Sequence, residues 1–349
     1  MKKLLWLAMV LLLLPATLAG AADKELRIFI WSEYMPDTLW KNFQKQTGLK
    51  VRIDLYENNE EMLAKLQAGG VSQYDIIVPS DYIMPSLINL KLIQPLDQAK
   101  VPNLKNLKDM FKKTTYDPGN KYSAAWQWGT VGLMYRKDKI KKLDNSWALL
   151  FDPTRDPGPF WLIDSVREML GIALLFLKKD FNSTDPADLK AASDLLIATK
   201  KNKACLGFKP GVGGKNDVVA GTAAAAIVYN GDALRAINED KTGKLAFTVP
   251  REGSEIWFDS MCLPVKAPNP EAAHKWINFV LDARNGAELS NFNQYATPNE
   301  AAMKFIKAGD LKNPGIYPTQ EMMKTLHFTK DPGKDMRLID EAWTRAKSN

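Results

Sequence analysis

The feature that most constrains the fold is an alternation of apolar runs and amphipathic segments near the start of the chain. Apolar runs at residues 26–30 and 74–78, and alternating apolar residues at 50–56, predict three β-strands. The segments between them, residues 37–43 and 58–66, have helical spacing. This order favours a parallel sheet covered by helices, so the predicted fold class is α/β.

Polar and aromatic residues follow the predicted strands directly. Residues 31–34 (Trp-Ser-Glu-Tyr) come after the first strand, and residues 80–82 (Ser-Asp-Tyr) come after the third. In open α/β sheets, ligands bind outside the carboxyl ends of the strands. These two loops are therefore candidate parts of a binding site.

An aromatic residue followed by an acid occurs at three predicted strand ends. The pairs are Trp31 with Glu33, Tyr229 with Asp232, and Trp257 with Asp259. A protonated amine donates charge-assisted hydrogen bonds to carboxylates, while aromatic ring faces attract the cation and cover its methylene groups. Each ring taken alone is more typical of core packing, but the three pairs together predict a site for an organic cation.

The length of the chain is sufficient for two medium-sized lobes. An extended run at residues 121–135 could carry the chain from one lobe to the other. The predicted division is a signal peptide at residues 1–22, a first lobe at residues 23–130 plus 260–303, and a second lobe at residues 131–259 plus 304–349. The glycine-rich residues 211–214 lack the Gly-Lys-Ser/Thr ending of a phosphate-binding loop and predict a turn.

The first residues have the pattern of a secretory signal peptide. Two lysines precede an apolar run at residues 4–14, and small residues follow at 19–22. We expect an exported, soluble mature protein located in the periplasm, with no later segment apolar enough to span a membrane. The sequence leaves open whether Cys205 and Cys262 pair, although the apolar surroundings of Cys262 favour a buried free thiol.

Few residues suggest catalysis. The two histidines, His274 and His327, have no second ligand at metal-binding spacing, and neither a serine-nucleophile elbow nor a dinucleotide fingerprint occurs. The basic residues behind the net charge of +7 are scattered, which argues against nucleic-acid binding. We therefore predict a binding protein without cofactor or metal. A carboxylate-dependent glycoside hydrolase is the less favoured alternative, because acids beside aromatic rings also serve sugar cleavage.

Several short segments, taken in order, resemble the periplasmic spermidine/putrescine-binding proteins of polyamine ABC importers. They are residues 30–34, 75–80, 163–165 with Glu168, 257–260, 295–299 and 313–318. The resemblance covers nearly all of the mature chain. It implies a type 2 periplasmic binding protein, whose two α/β lobes close on a ligand by a hinge movement.

The resemblance also implies roles for individual residues. Apolar walls would come from Trp31, Tyr34, Tyr229, Trp257 and Tyr295. Ammonium groups would bind to Glu33, Glu168, Asp232 and Asp259. The mouth of the cleft would be lined by Ser32, Ser80 and Tyr82. The implied partners are putrescine or spermidine and the membrane permease of an importer, with the binding protein acting as a monomer.

Three positions depart from the spermidine-preferring pattern. Ser165 stands in place of a second acid, Tyr229 in place of a tryptophan, and Thr329 in place of a glutamine near the tail. Asp232 and residues 313–318 look more like the putrescine-preferring pattern. We expect putrescine to be favoured over spermidine, and a receptor for another small organic cation or solute remains an alternative.

Overall fold

The computed structural model of the protein describes residues 25–349; the predicted signal peptide lies outside the described residues. The strands are Glu25–Trp31 (β1), Lys50–Tyr56 (β2), Ile76–Ile77 (β3), Ile93–Gln94 (β4), Ser123–Arg136 (β5), Phe160–Ile163 (β6), Cys205–Lys209 (β7), Ala225–Tyr229 (β8), Leu245–Thr248 (β9), Ser254–Pro264 (β10) and Leu326–His327 (β11). The helices are Asp37–Thr47 (α1), Asn59–Gln67 (α2), Met84–Asn89 (α3), Ala148–Phe151 (α4), Val166–Phe176 (α5), Pro186–Lys200 (α6), Gly211–Ala220 (α7), Asn230–Glu239 (α8), Pro270–Val280 (α9), Ala283–Asn293 (α10), Ala308–Leu311 (α11), Gln320–Met323 (α12) and Met336–Ser348 (α13).

The main path through the sheet runs β2-β1-β3-β10-β5-β8-β6-β7. β1 pairs in parallel with β2 and β3, which confirms the parallel sheet predicted for the start of the chain. β6 likewise pairs in parallel with β7 and β8. The two longest strands, β5 and β10, lie antiparallel to each other in the middle of the path. They join the two parallel groups.

β5 changes its partner part-way along its length. It pairs with β10 from Ser123 to Thr130, and with β8 from Val131 onward. The pairing of β5 with β10 also shifts register between Asp259 and Ser260. These positions coincide with the predicted lobe boundaries after residues 130 and 259, and the division into lobes stays a prediction.

The core explains why these elements form. In β1, Leu26, Ile28 and Ile30 are buried, and α1 covers them with Leu39 and Phe43. Burial of such aliphatic and aromatic side chains stabilises the fold by about 1.5–3 kcal/mol each.

Within residues 25–349 no helix combines the length and apolarity needed to cross a membrane. Both cysteines are free thiols, and Cys262 is buried.

One local prediction is wrong. Residues 211–214, predicted to form a turn, begin the helix α7. The glycines allow this helix to approach β8 closely, because a Cβ atom added at Gly214 would lie 3.2 Å from the Cβ of Ala226. At Gly211 the added Cβ would lie 2.9 Å from the Tyr229 ring. Tertiary packing thus offsets the low helix propensity of glycine here.

Candidate functional site

A cavity of about 780 Å³, counted with the space that opens to solvent, lies between the ends of β1, β6 and β8 and the first half of β10. Trp257 and Asp259 thus lie within a strand and not at a strand end as predicted. Six of its lining residues are acidic: Glu57, Asp164, Glu168, Asp232, Glu255 and Asp259. Six are aromatic: Trp31, Tyr34, Tyr82, Tyr229, Trp257 and Tyr295. No lysine or arginine lines it in the part of the chain that the structure describes. The cavity therefore offers negative charge and ring faces together.

Asp259 is fixed in the cavity by two hydroxyl groups. Ser80 Oγ donates to Asp259 Oδ1 and Tyr34 Oη donates to Asp259 Oδ2, each at 2.7 Å. Burial raises the pKa of Asp259 to about 7, and Glu168 adds to the rise, although the two hydroxyls oppose it. The charged form of this carboxylate is therefore costly until a cation arrives.

Two further acids lie in the first turns of helices that follow strands. Glu168 is in the first turn of α5, and Asp232 is in the first turn of α8. These positions favour negative charge, because the amino end of a helix carries partial positive charge. Tyr229 Oη donates to Glu168 Oε1 at 3.1 Å, and Ser165 Oγ donates to Glu168 Oε2. Desolvation raises the pKa of Asp232 to about 6, while Lys215 opposes the rise.

The aromatic wall is built by edge-to-face contacts centred on Trp257. The centroid of its ring lies 5.7 Å from that of Tyr229 and 5.2 Å from that of Tyr295. Tyr295 in turn meets Tyr34 at 5.4 Å. Gly129 on β5 makes room for the wall, because an added Cβ would lie 2.8 Å from the Trp257 ring. The rings are therefore held in fixed positions beside the acids.

Trp31 and the remaining predicted residues are placed as follows. Trp31 Nε1 donates to the Val78 carbonyl at 2.9 Å, which fixes the indole at the end of β1. Tyr82 Oη donates to Glu60 Oε1 at 3.0 Å. Ser80, expected at the mouth of the cleft, is buried beside Asp259.

Eleven of the twelve predicted site residues line the cavity: Trp31, Ser32, Tyr34, Ser80, Tyr82, Glu168, Tyr229, Asp232, Trp257, Asp259 and Tyr295.

Glu33 is the exception. It is exposed, has a positive φ of 52°, and does not line the cavity. Lys215 Nζ donates to Glu33 Oε2 at 2.9 Å, and Arg235 lies 3.6 Å from the same oxygen. The Glu33 carboxylate thus links the loop after β1 to α7 and α8.

Glu255 is a cavity acid that the sequence reasoning missed. It lies in β10 two residues before Trp257, so the alternation that places Trp257 and Asp259 on one side of the strand also places Glu255 there. Extending that alternation by one step would have identified it. The cavity residues Pro210, Gly211 and Val212 were missed because the start of α7 was predicted to be a turn.

The family profile of the bacterial extracellular solute-binding proteins matches residues 38–315. The chain belongs to this family. Membership confirms the binding-protein interpretation over that of a glycoside hydrolase.

Among individual solute-binding proteins, the chain is 36% identical to the putrescine-binding periplasmic protein SpuD of Pseudomonas aeruginosa, over 96% of this chain and 97% of the relative. It is 34% identical to the putrescine-binding periplasmic protein PotF of Escherichia coli, over 94% and 93%. The spermidine/putrescine ABC transporter substrate-binding protein PotD of Streptococcus pneumoniae superimposes with a TM-score of 0.76 at 28% identity, covering 93% of this chain and 99% of that chain. These likenesses confirm the predicted resemblance and the two-lobe α/β fold.

Proposed function

We propose that this solute-binding protein captures linear polyamines in the periplasm, with putrescine favoured over spermidine. It then delivers them, as a monomer, to the membrane permease of an ABC importer. The observation that carries the proposal is the cavity itself, which six acids and six aromatic rings line and which no lysine or arginine of the described residues lines. Such a lining suits a chain of methylenes with a positive charge at each end.

The acids supply enough binding energy for this role. A hydrogen bond to a charged group contributes about 1.5–3 kcal/mol. An ammonium at Asp259 and another at Asp232 or Glu168 would each make more than one such bond. Micromolar affinity requires only about 8 kcal/mol. The cost of stripping water from the two ammonium groups is offset by the same carboxylates.

The relatives SpuD and PotF, both putrescine-binding periplasmic proteins, support putrescine as the favoured ligand. The second acid expected of a spermidine-preferring site is replaced by Ser165, whose hydroxyl instead donates to Glu168. The N-terminal signal pattern supports the periplasm as the location.

Calorimetric titration of the chain from residue 23 tests the proposal. Putrescine and spermidine are expected to release or absorb heat with saturable binding, while glutamate, which is acidic, is expected to give none. The absence of saturable heat with either amine would contradict the function. Binding of a monoamine but not of a diamine would instead support the alternative of another small organic cation.

A further inference from the structure

The cavity contains an acid whose presence a diamine does not explain. Glu255, Trp257 and Asp259 project from the same side of β10 at intervals of two residues. Four strand residues span roughly 13 Å between the Cα atoms of Glu255 and Asp259. An acid thus lies on each side of the Trp257 indole along the strand.

The Glu255 carboxylate is buried, and one of its two oxygens has no hydrogen-bond partner among the described residues. The residue is 1% exposed, and its Oε1 accepts a hydrogen bond from Thr329 Oγ1. Its Oε2 is buried without a hydrogen-bond partner among the described residues, and this holds for no other carboxylate that lines the cavity. Leaving a buried polar group unpaired costs free energy, and a buried charge costs more.

The surroundings of Glu255 are predominantly acidic. Burial raises its pKa well above the usual value, and Glu168 and Asp81 raise it further, against Thr329 and Arg167. The Arg167 guanidinium interacts electrostatically with Glu255 but makes no hydrogen bond to it among the described residues: its Nη2 donates to the Lys330 carbonyl at 2.9 Å, and its Nη1 is buried without a partner. A ligand cation at Glu255 would therefore relieve both the missing hydrogen bond and the acid–acid repulsion.

The other cavity acids are arranged differently. Both oxygens of Asp259 and both oxygens of Glu168 already accept hydroxyl hydrogen bonds. Asp232 interacts with Lys215 and Glu33 rather than with Glu255. A diamine has two charges, for which Asp259, Glu168 and Asp232 provide acids. Glu255 adds a further position beyond the indole.

We propose that Glu255 binds the third ammonium group of a triamine, so that this protein accepts spermidine in addition to putrescine. This inference rests on the proposed function. It makes Glu255 the residue that allows the cavity to bind spermidine, the longer ligand. Ser165 and Thr329 are both uncharged, and Glu255, which accepts a hydrogen bond from Thr329, supplies a charge on this side of the cavity from β10.

The test compares two proteins with two ligands by calorimetry. Glu255→Gln keeps the shape and the acceptor for Thr329 but removes the charge. We expect it to weaken spermidine binding about tenfold or more, the usual effect of losing a charged hydrogen bond, while putrescine affinity stays within about threefold. Glu321→Gln is the matched control, because Glu321 is exposed and lies outside the cavity, and it should leave both affinities unchanged.

The outcomes separate the two proposals. If the parent protein binds neither amine, the proposed function is wrong. If the parent binds both amines and Glu255→Gln leaves their affinity ratio unchanged, only the role of Glu255 is wrong. An equal loss for both amines together with a lower melting temperature without ligand would also overturn it, since Glu255 would then be a structural partner of Arg167.

A second variant guards against poor folding of the first. Glu255→Asp keeps the charge but withdraws it by one methylene group. It should lower the ratio of spermidine to putrescine affinity in the same direction, and an unchanged ratio in the folded protein would refute the assignment.

Discussion

Asp259→Asn tests whether the binding energy depends on the carboxylate at the centre of the cavity. Asparagine keeps the size of the side chain but removes the charge. Asp259 accepts hydrogen bonds from the Ser80 and Tyr34 hydroxyls, and asparagine would face one of these hydroxyls with an amide NH₂ group in place of a carboxylate oxygen. Loss of a hydrogen bond to a charged group costs about 1.5–3 kcal/mol. Because 1.4 kcal/mol corresponds to tenfold, putrescine affinity should fall roughly 10- to 150-fold.

The unliganded protein should tolerate this change. The pKa of Asp259 is about 7, so the carboxyl is already partly protonated near neutral pH, and asparagine resembles that neutral form. We therefore expect little change in the melting temperature without ligand. The assay is calorimetric titration with putrescine at pH 8, where Asp259 is mostly ionised, accompanied by a thermal melt of the same samples.

Asp109→Asn is the control for this variant. It makes the same chemical change at an exposed acid outside the cavity and should bind putrescine like the parent. If Asp259→Asn binds within about twofold of the parent at pH 8, the reasoning from charge is wrong. If it loses binding only because it unfolds, its unliganded melting temperature will reveal this.

Three further predictions concern pH, the loop after β1 and the aromatic wall. Burial raises the pKa values of Asp259 and Asp232 to about 7 and about 6, so protons compete with the ligand for these carboxylates. Putrescine affinity measured by calorimetry should therefore fall as the pH decreases from 8 to 5. The melting temperature of the unliganded protein should rise over the same decrease, because the folded state holds these protons more tightly than the unfolded state does. A pH-independent affinity would contradict both assignments. Glu33→Gln removes an ion pair between the exposed Glu33 and the buried Lys215 and should weaken binding only about fivefold or less, because Glu33 lies outside the cavity. About 0.5 M salt should reduce this effect; a larger, salt-independent loss would mean that Glu33 contacts the ligand. Gly129→Ala adds a Cβ that would meet Asn230 Oδ1 first and then the Trp257 ring; it should displace both, weaken putrescine binding and lower stability by about 1–3 kcal/mol in a denaturant titration. Gly309→Ala, at a position with open space, should do neither, and equal behaviour of the two variants would show that these side chains can shift freely.

Much of the fold could be predicted because the first elements depend on local patterns. The alternation at residues 50–56 indicated β2 with its observed bounds, Lys50–Tyr56. Two of the three aromatic–acid pairs, Trp31 with Glu33 and Tyr229 with Asp232, begin at observed strand ends, where ligand sites in α/β sheets form. The third pair, Trp257 and Asp259, was predicted at a strand end but lies within β10, and its two-residue spacing places both side chains on the cavity side of the strand.

Other features depend on contacts distant in sequence and could not be predicted. The start of α7 contains three glycines within residues 211–214 and has low helix propensity, and its stability comes from packing against β8. The ion pair of Glu33 with Lys215 joins residues 182 positions apart. Nothing in the sequence near Glu33 distinguishes a ligand-binding acid from one that pairs with a distant lysine.

The strand pair at the middle of the sheet has a mechanical consequence. β5 and β10 cross the molecule as hydrogen-bonded strands, and their register shifts between Asp259 and Ser260. The backbone of Asp259 also bridges to Ser80, whose hydroxyl holds its carboxylate. A twisting of these strands would therefore carry the carboxylate with it. Ligand binding at Asp259 and any twisting of β5 against β10 would then be coupled directly through the backbone of β10, without intervening side chains.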